Sequence, residues 1–419
     1  MKHARILRRL RLVCLLPCLP LLLFGCRTQP GDSTADASGR TGGESGVTAG
    51  LDASNTSTSG DGSTASATTG TTLPPLPADA FSGVSTADVR DFGAVGDGAA
   101  DDTAAVQAAV DRVSADGGGY VYLPPGTYRL NAVCLRRGVC LYSERTWNPE
   151  DAGSCGETVL VPLDGSVRSV IALPEEENAS LRNLCIDGQG LGTAVAGVAS
   201  TVTGGVAGTS VRIENVCIRN CSGTGLDLSR HAIASVRGCR ITGCGTGVRV
   251  VGWDQFFCDN VIAGNRGDGV VASGGTAMSF CYNRVGWNDG CGLRFEGYGR
   301  VSVTGNTFDS NAGPGVYCSG STNMALYANL LVRNGWSPRA GLTNGRCQIS
   351  VNASSGINIT ENVLRAGADA RTGGAEPDYG VIGDCMNTCV IRDNVWEKAG
   401  TRGRILTDET QNLQCDIQS

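Results

Sequence analysis

Between residues 227 and 317 a charged or aromatic side chain recurs roughly once every 22 or 23 residues, each time just after a Gly-x-Gly-apolar step. Asp227, Arg249, Arg294 and Tyr317 hold these places, and Val271 fills the fifth. Two residues further on stand Ser229, Val251, Ser273, Glu296 and Ser319, and the turns beyond add His231, Trp253, Asp254 and Tyr298. Such groups suit two reactions on sugar acids. β-Elimination needs a base for the proton next to a carboxylate and a cation to neutralise that carboxylate, so Arg249 and Arg294 are candidates for base or clamp. Glycoside hydrolysis needs two carboxyls, and Asp268 is the one carboxylate in the column of Thr224, Thr246, Cys291 and Pro314. Aromatic rings meet the C–H faces of sugars while charged groups take hydroxyls and carboxylates. Asp227, His231, Trp253, Asp254, Glu296, Tyr298 and Tyr317 are therefore read as substrate-binding. A plainer reading competes: a solvated sheet with cross-coil Asp–Arg pairs, and a lone histidine in a structural role.

These residues gain meaning only if the chain stacks them. Asn215, Gly238, Asn260, Asn283, Asn306 and Asn329 are spaced 23, 22, 23, 23 and 23 apart, and Asn362 and Asn394 continue the series after insertions. Five residues after each of the first six comes Asn220, Gly243, Asn265, Asn288, Asn311 or Asn334. A period near 22 with glycine turns and short alternating strands is one coil of a solenoid. Leu226, Leu228, Val248, Val250, Val270, Leu293, Phe295 and Val316 then point inward. Coils rise about 4.8 Å each, so the working row spans about 19 Å over five coils. Equivalent Cα atoms on neighbouring coils fall within disulfide range. The register therefore predicts axial bridges Cys185–Cys217, Cys221–Cys244 and Cys258–Cys281, with a local Cys134–Cys140 bridge.

The solenoid opens with Asp88-Val89-Arg90-Asp91-Phe92-Gly93-Ala94-Val95-Gly96-Asp97-Gly98, then Asp101-Asp102-Thr103 and a helical stretch, then Gly117-Gly118-Gly119-Tyr120-Val121-Tyr122-Leu123-Pro124-Pro125-Gly126. This reads as strand, Gly-Asp turn, short helix and strand, with Asp101 or Asp102 capping the helix and Val106, Ala109, Val110 and Val113 on its apolar face. The stretch resembles the opening of the pectate-lyase and polygalacturonase superfamily, where it caps a β-helix. The resemblance implies an all-β, right-handed, single-stranded parallel β-helix with a short N-terminal capping helix. It stops short of the polygalacturonase chemistry, because the Asn-Thr-Asp-Gly, Gly-Asp-Asp, Gly-His-Gly and Arg-Ile-Lys motifs are missing. β-Helix lyases use arginine or lysine, often with Ca²⁺ held by acidic side chains. Lys398 lies in the last coil, which leaves Arg249 and Arg294 for that role, with Asp227, Asp254, Asp268 and Glu296 as Ca²⁺ ligands if the reaction is an elimination. The sequence names no other metal or cofactor.

The N-terminus sets the compartment. Residues 1–25 carry five basic residues before the apolar run Leu12–Phe24, the order of a secretory signal. Leu23-Phe24-Gly25-Cys26 resembles the lipobox of bacterial lipoproteins, which implies cleavage before Cys26 and its lipidation. Residues 26–85 are rich in Gly, Ser, Thr and Ala and too poor in large apolar groups to fold alone. They read as a flexible tether, and 86–419 as the β-helix domain. Losing the five basic residues leaves 29 against 40 acidic ones, a net charge of −11, which disfavours nucleic acid as a partner. Sixteen of 19 cysteines would remain for an oxidising space.

The expectation is a lipid-anchored cell-envelope protein, monomer or β-helix trimer, that binds an anionic polysaccharide and cleaves it as a lyase or glycoside hydrolase. The alternative is a non-catalytic carbohydrate-binding or structural β-helix, with the membrane touched through the anchor only.

Overall fold

The computed structural model describes residues 83–144, 148–149, 156–175, 178–206, 208–337, 342, 344–368 and 372–415. The expectations for the signal, for Cys26 and for the tether up to residue 82 lie outside them. From Ser85 to Cys415 the chain winds through short strands that stack into three parallel sheets of 13, 12 and 11 strands, numbered here sheets 1, 2 and 3. One coil is Trp253–Cys258 in sheet 1, Val261–Ala263 in sheet 2 and Val270–Ser273 in sheet 3. Each strand pairs with its counterpart on the next coil.

Period-2 alternation points every second side chain into the tube. Leu226, Leu228, Val248, Val250, Val270, Leu293 and Phe295 are fully buried, and Val316 nearly so. Each contributes about 1.5–3 kcal/mol by leaving water. Phe257 and Phe280 lie 5.9 Å apart, and Phe280 and Phe308 stack at 6.4 Å, a short aromatic spine inside the coils.

Helix α1 (Thr103–Ala115) closes the N-terminal end and buries Val106, Ala109, Val110 and Val113. The two aspartates divide the labour. Asp101 accepts from the Thr103 N–H at 3.0 Å. Asp102, fully enclosed, turns backward and accepts from the N–H groups of Val95 at 2.6 Å and Gly96 at 3.2 Å. It makes no side-chain bond to the helix, so its carboxylate fixes the preceding turn.

The asparagine series proves to be two rows, one residue out of step. Asn215 and Gly238 belong with Asp259, Tyr282, Gly305 and Ala328, all at positive φ where the chain turns from sheet 1 to sheet 2. The buried ladder starts one residue later, at Asn260. Each Oδ1 accepts the backbone N–H and the Nδ2 of the preceding coil's asparagine, running Asn260, Asn283, Asn306, Asn329, Asn362 and Asn394. A second ladder at the turn from sheet 2 to sheet 3 links Asn265, Asn288, Asn311 and Asn334 and ends on Gln348. Each ladder satisfies buried turn amides that no strand reaches. In earlier coils cysteines take these places: Cys239 offers its N–H to Asn260, and Cys244 to Asn265.

The cysteine register holds. Cys185 pairs with Cys217, and Cys258 with Cys281. Cys140, Cys217, Cys221, Cys244, Cys258 and Cys281 stand as free thiols in this structure, with the Cys221 and Cys244 thiols in hydrogen-bonding contact. Cys134 and Cys140 stand on different sheets, beside Ala172 in sheet 3 and Tyr120 in sheet 1.

Candidate functional site

The outward row of sheet 3 is in the register read from the sequence: Asp227 pairs with Arg249, Arg249 with Val271, Val271 with Arg294, and Arg294 with Tyr317. The row continues to Ser350 and Ile382. The second row runs Ser273, Glu296, Ser319, Asn352, Asp384 and Asp408. Both rows extend past the 336–346 insertion, which breaks the repeat and hides Ser350, Asn352 and Asp384 from a spacing argument.

Arg294 is the best-ordered group on this face. Its Nη2 donates to Glu296, its Nη1 lies 3.5 Å from Asp268, and its guanidinium sits 5.8 Å from the centre of the Tyr317 ring. Burial disfavours its charge, but the Glu296 hydrogen bond and the charges of Asp268 and Glu296 outweigh burial and hold its pKa above the usual arginine range. Its contacts with Glu296, Asp268 and Tyr317 fit the clamp of the two expected roles, base or clamp. Asp268 is almost enclosed and accepts from the Cys291 N–H at 2.7 Å. Its carboxylate shapes the next coil and holds Arg294, which leaves it no exposed edge for proton transfer. Arg249 differs: it is exposed and makes no ion pair among the described residues. Asp227, half-buried beside it, accepts one bond from the Ser229 N–H at 2.9 Å.

Four expected sugar-facing residues are placed otherwise. His231 is fully buried, with Nδ1 2.9 Å from the Thr209 hydroxyl and Nε2 without a partner; burial lowers its pKa. Tyr298 is folded under the turn, packs on Phe295 at 5.9 Å and donates to the Gly252 carbonyl at 2.8 Å. Burial raises its pKa. Trp253 and Asp254 open a strand of sheet 1 instead. Tyr317 keeps its place in the row but is 6% exposed, so it backs Arg294 more than it offers a ring. Burial raises its pKa, against a lowering by Ser319 and Arg294. Among the described residues no three His, Cys, Asp or Glu side chains converge as a metal ion would need. Asp268 and Glu296 are tied to Arg294 and Asp254 lies on another sheet, so these carboxylates do not fit a Ca²⁺ site.

A family described as "Rhamnogalacturonase A/epimerase, pectate lyase-like" matches residues 86–294, and one described as "Right handed beta helix region" matches 255–416. The chain belongs to the pectate-lyase-like right-handed β-helix proteins. Mannuronan C5-epimerase AlgE6 of Azotobacter vinelandii is 38% identical over 155 residues, 35% of this chain and 18% of that protein. AlgE4 of the same organism is 38% identical over the same length, 28% of its own. Alginate lyase 7, also from A. vinelandii, is 38% identical over 106 residues, 24% of this chain and 12% of the lyase. This β-helix thus matches only a minor part of each. Among solved structures, the AlgE4 A-module superposes with a TM-score of 0.60 at 22% identity, covering 76% of this chain and 97% of the module. DFA-IIIase from Arthrobacter chlorophenolicus A6 does so at 0.59 and 17%, covering 78% and 92%. At these identities the superpositions establish the β-helix architecture alone.

Proposed function

We propose that this β-helix binds an anionic, uronate-bearing polysaccharide along the outward face of sheet 3. One observation carries the reading: Arg249 stands exposed in line with the ordered Arg294 cluster, with its charge unspent. Its guanidinium suits a sugar carboxylate. Glu296 and Ser319 supply hydroxyl partners along the second row. The relatives named for mannuronan and alginate support an acidic substrate.

A second reading, favoured by those relatives, adds chemistry at the uronate C5. Asp227 would take the C5 proton while Arg249 neutralises the adjacent carboxylate, which makes that proton acidic. Proton return to the other face gives epimerisation; loss of the C4 substituent gives elimination. A polysaccharide lyase or an epimerase fits Asp227 and Arg249 better than a glycoside hydrolase, since Asp268 is occupied. The lipid anchor at Cys26 would place this domain on the cell envelope.

The test incubates the full chain with polymannuronate, polyguluronate and polygalacturonate in D₂O. Calorimetry reads binding, NMR reads deuterium at C5, and absorbance at 235 nm reads unsaturated product. Binding weakened about tenfold in Arg249→Ala, equal to about 1.4 kcal/mol, supports the first reading, and failure of all three polymers to bind at low salt overturns it. Deuterium or unsaturation lost in Asp227→Asn supports the second.

A further inference from the structure

The exposed aromatics are not on sheet 3. Tyr120, Trp253, Phe256 and Tyr327 lie on sheet 1, and Tyr282 on its edge turn, each at least 40% exposed, while Trp287, 41% exposed, stands on the turn from sheet 2 to sheet 3. Sheet 3 has no exposed aromatic ring among the described residues. Phe256, 48% exposed, lies in an in-register outward row between Ser235 and Ser279 that continues through Ser302, Ala325 and Asn358. Beside it runs the row Asp254, Ala277, Arg300, Asn323 and Gly356, the second residues of the same strands, all at positive φ. The two rows border a depression of about 610 Å³ that follows the helix axis over five coils, about 19 Å at the strand spacing.

We infer that this groove is a second carbohydrate site, one that takes a neutral glycan strand. Phe256 offers an apolar ring face of the kind that stacks on the C–H face of a pyranose. Downstream, the hydroxyl of Ser279 and the amides of Asn323 and Asn358 have no hydrogen-bond partner among the described residues. They are donors and acceptors of the type sugar hydroxyls use, and at positions along a line. Asp254 and Arg300 bring one charge of each sign, so the groove gives a polyanion no net attraction, in contrast to the unspent cation on sheet 3. The isolated ring over a polar floor also differs from a protein-docking patch, which is contiguous and apolar. The groove lies on a different sheet from Arg249, so it takes no part in the sheet 3 site.

The experiment titrates the full chain with cellohexaose, laminarihexaose, maltohexaose and chitohexaose by calorimetry. At least one should bind. Phe256→Ala should weaken that ligand about tenfold, equal to about 1.4 kcal/mol, and Phe256→Trp should preserve or strengthen it. Neither change should move the melting temperature, since outward residues support little of the core. An anionic oligouronate should bind Phe256→Ala as it binds the wild type, which separates this groove from the sheet 3 reading. The inference is overturned if none of the four glycans binds at millimolar concentration, or if Phe256→Ala binds as well as the wild type. It is equally overturned if sedimentation shows self-association that Phe256→Ala abolishes, because a second copy then occupies the groove.

Discussion

Arg249 and Arg294 share a row yet should fail differently when truncated. In Arg294→Ala, the bond to half-exposed Glu296 is worth at most about 1 kcal/mol. The larger loss is at Asp268, whose side chain is 7% exposed and is left with its backbone bond from Cys291 as the main compensation. Removing one partner of a buried pair costs about 3–5 kcal/mol. The Asp268–Arg294 contact is long at 3.5 Å, so about 2 kcal/mol is the better figure. At about 2.1 cal/mol/K of unfolding entropy per residue, a domain of about 330 residues should lose roughly 3 °C in melting temperature. Arg294→Ala with Asp268→Asn should recover most of that, because no stranded charge remains. Arg249→Ala removes no intramolecular pair and should leave the melting temperature unchanged within the roughly 0.5 kcal/mol of an ordinary surface change. It should weaken an anionic oligouronate about tenfold at low salt, the effect of one charge-assisted hydrogen bond partly screened by water. Differential scanning calorimetry and titration of the four proteins decide the matter. Destabilisation by Arg249→Ala with intact binding would refute the assignment, as would a harmless Arg294→Ala.

Asn306→Ala should destabilise the fold by about 2–5 kcal/mol in urea titration, since it strands the buried Asn283 N–H and Phe280 carbonyl, each worth about 1–3 kcal/mol; exposed Asn358→Ala should cost almost nothing. Burial holds His231 below its ordinary value of 6.5, so the unfolded chain binds that proton more readily, and stability should fall as pH drops below about 6.5. The fall between pH 6.5 and 5.5, above the carboxylate range, should vanish in His231→Gln; an unchanged slope would assign it elsewhere. A non-reducing peptide map should find Cys217, Cys221, Cys244, Cys258 and Cys281 unbridged. Cys26→Ser should block acylation of the exported chain, and normal acyl labelling of that variant would dismiss the anchor.

The fold was legible because a solenoid writes its geometry into one dimension. Pairing Asp227 with Arg249 and Arg294 with Tyr317 needs only a period and an alternation, and both are plain in the residues after each Gly-x-Gly. The asparagine rows show where that arithmetic slips. The single step of 22 between Gly238 and Asn260 is where the sequence passes from the positive-φ turn row to the buried ladder. Both rows favour Asn or Gly, the first because these residues tolerate the left-handed region and the second because a primary amide can accept and donate along the axis. Residue type alone therefore merges two adjacent columns, and the cysteines that stand in for asparagine in the early coils remove the marker that would separate them.

The site was less legible, for a different physical reason. A period gives the coil and the face but not the depth at which a side chain settles. Tyr298 follows a glycine in a turn, which reads as solvent, yet its hydroxyl reaches the Gly252 carbonyl 46 residues earlier because two coils lie under that turn. His231 is drawn in likewise by Thr209, 22 residues back. By contrast the Arg294–Glu296 pair needed only the i,i+2 rule that puts both on one face of a strand. The aromatic row of sheet 1 was equally open to counting, since Phe256, Ser279, Ser302 and Ala325 follow at 23-residue steps. The glycine signal draws the eye to sheet 3, because only there does the strand begin directly after a Gly-x-Gly step. The exposed, unbridged Arg249 and the exposed Phe256 ring thus sit on separate sheets. A polymer gripped by both would have to bend around the coil, and two independent binding constants on anionic and neutral probes would show that it does not.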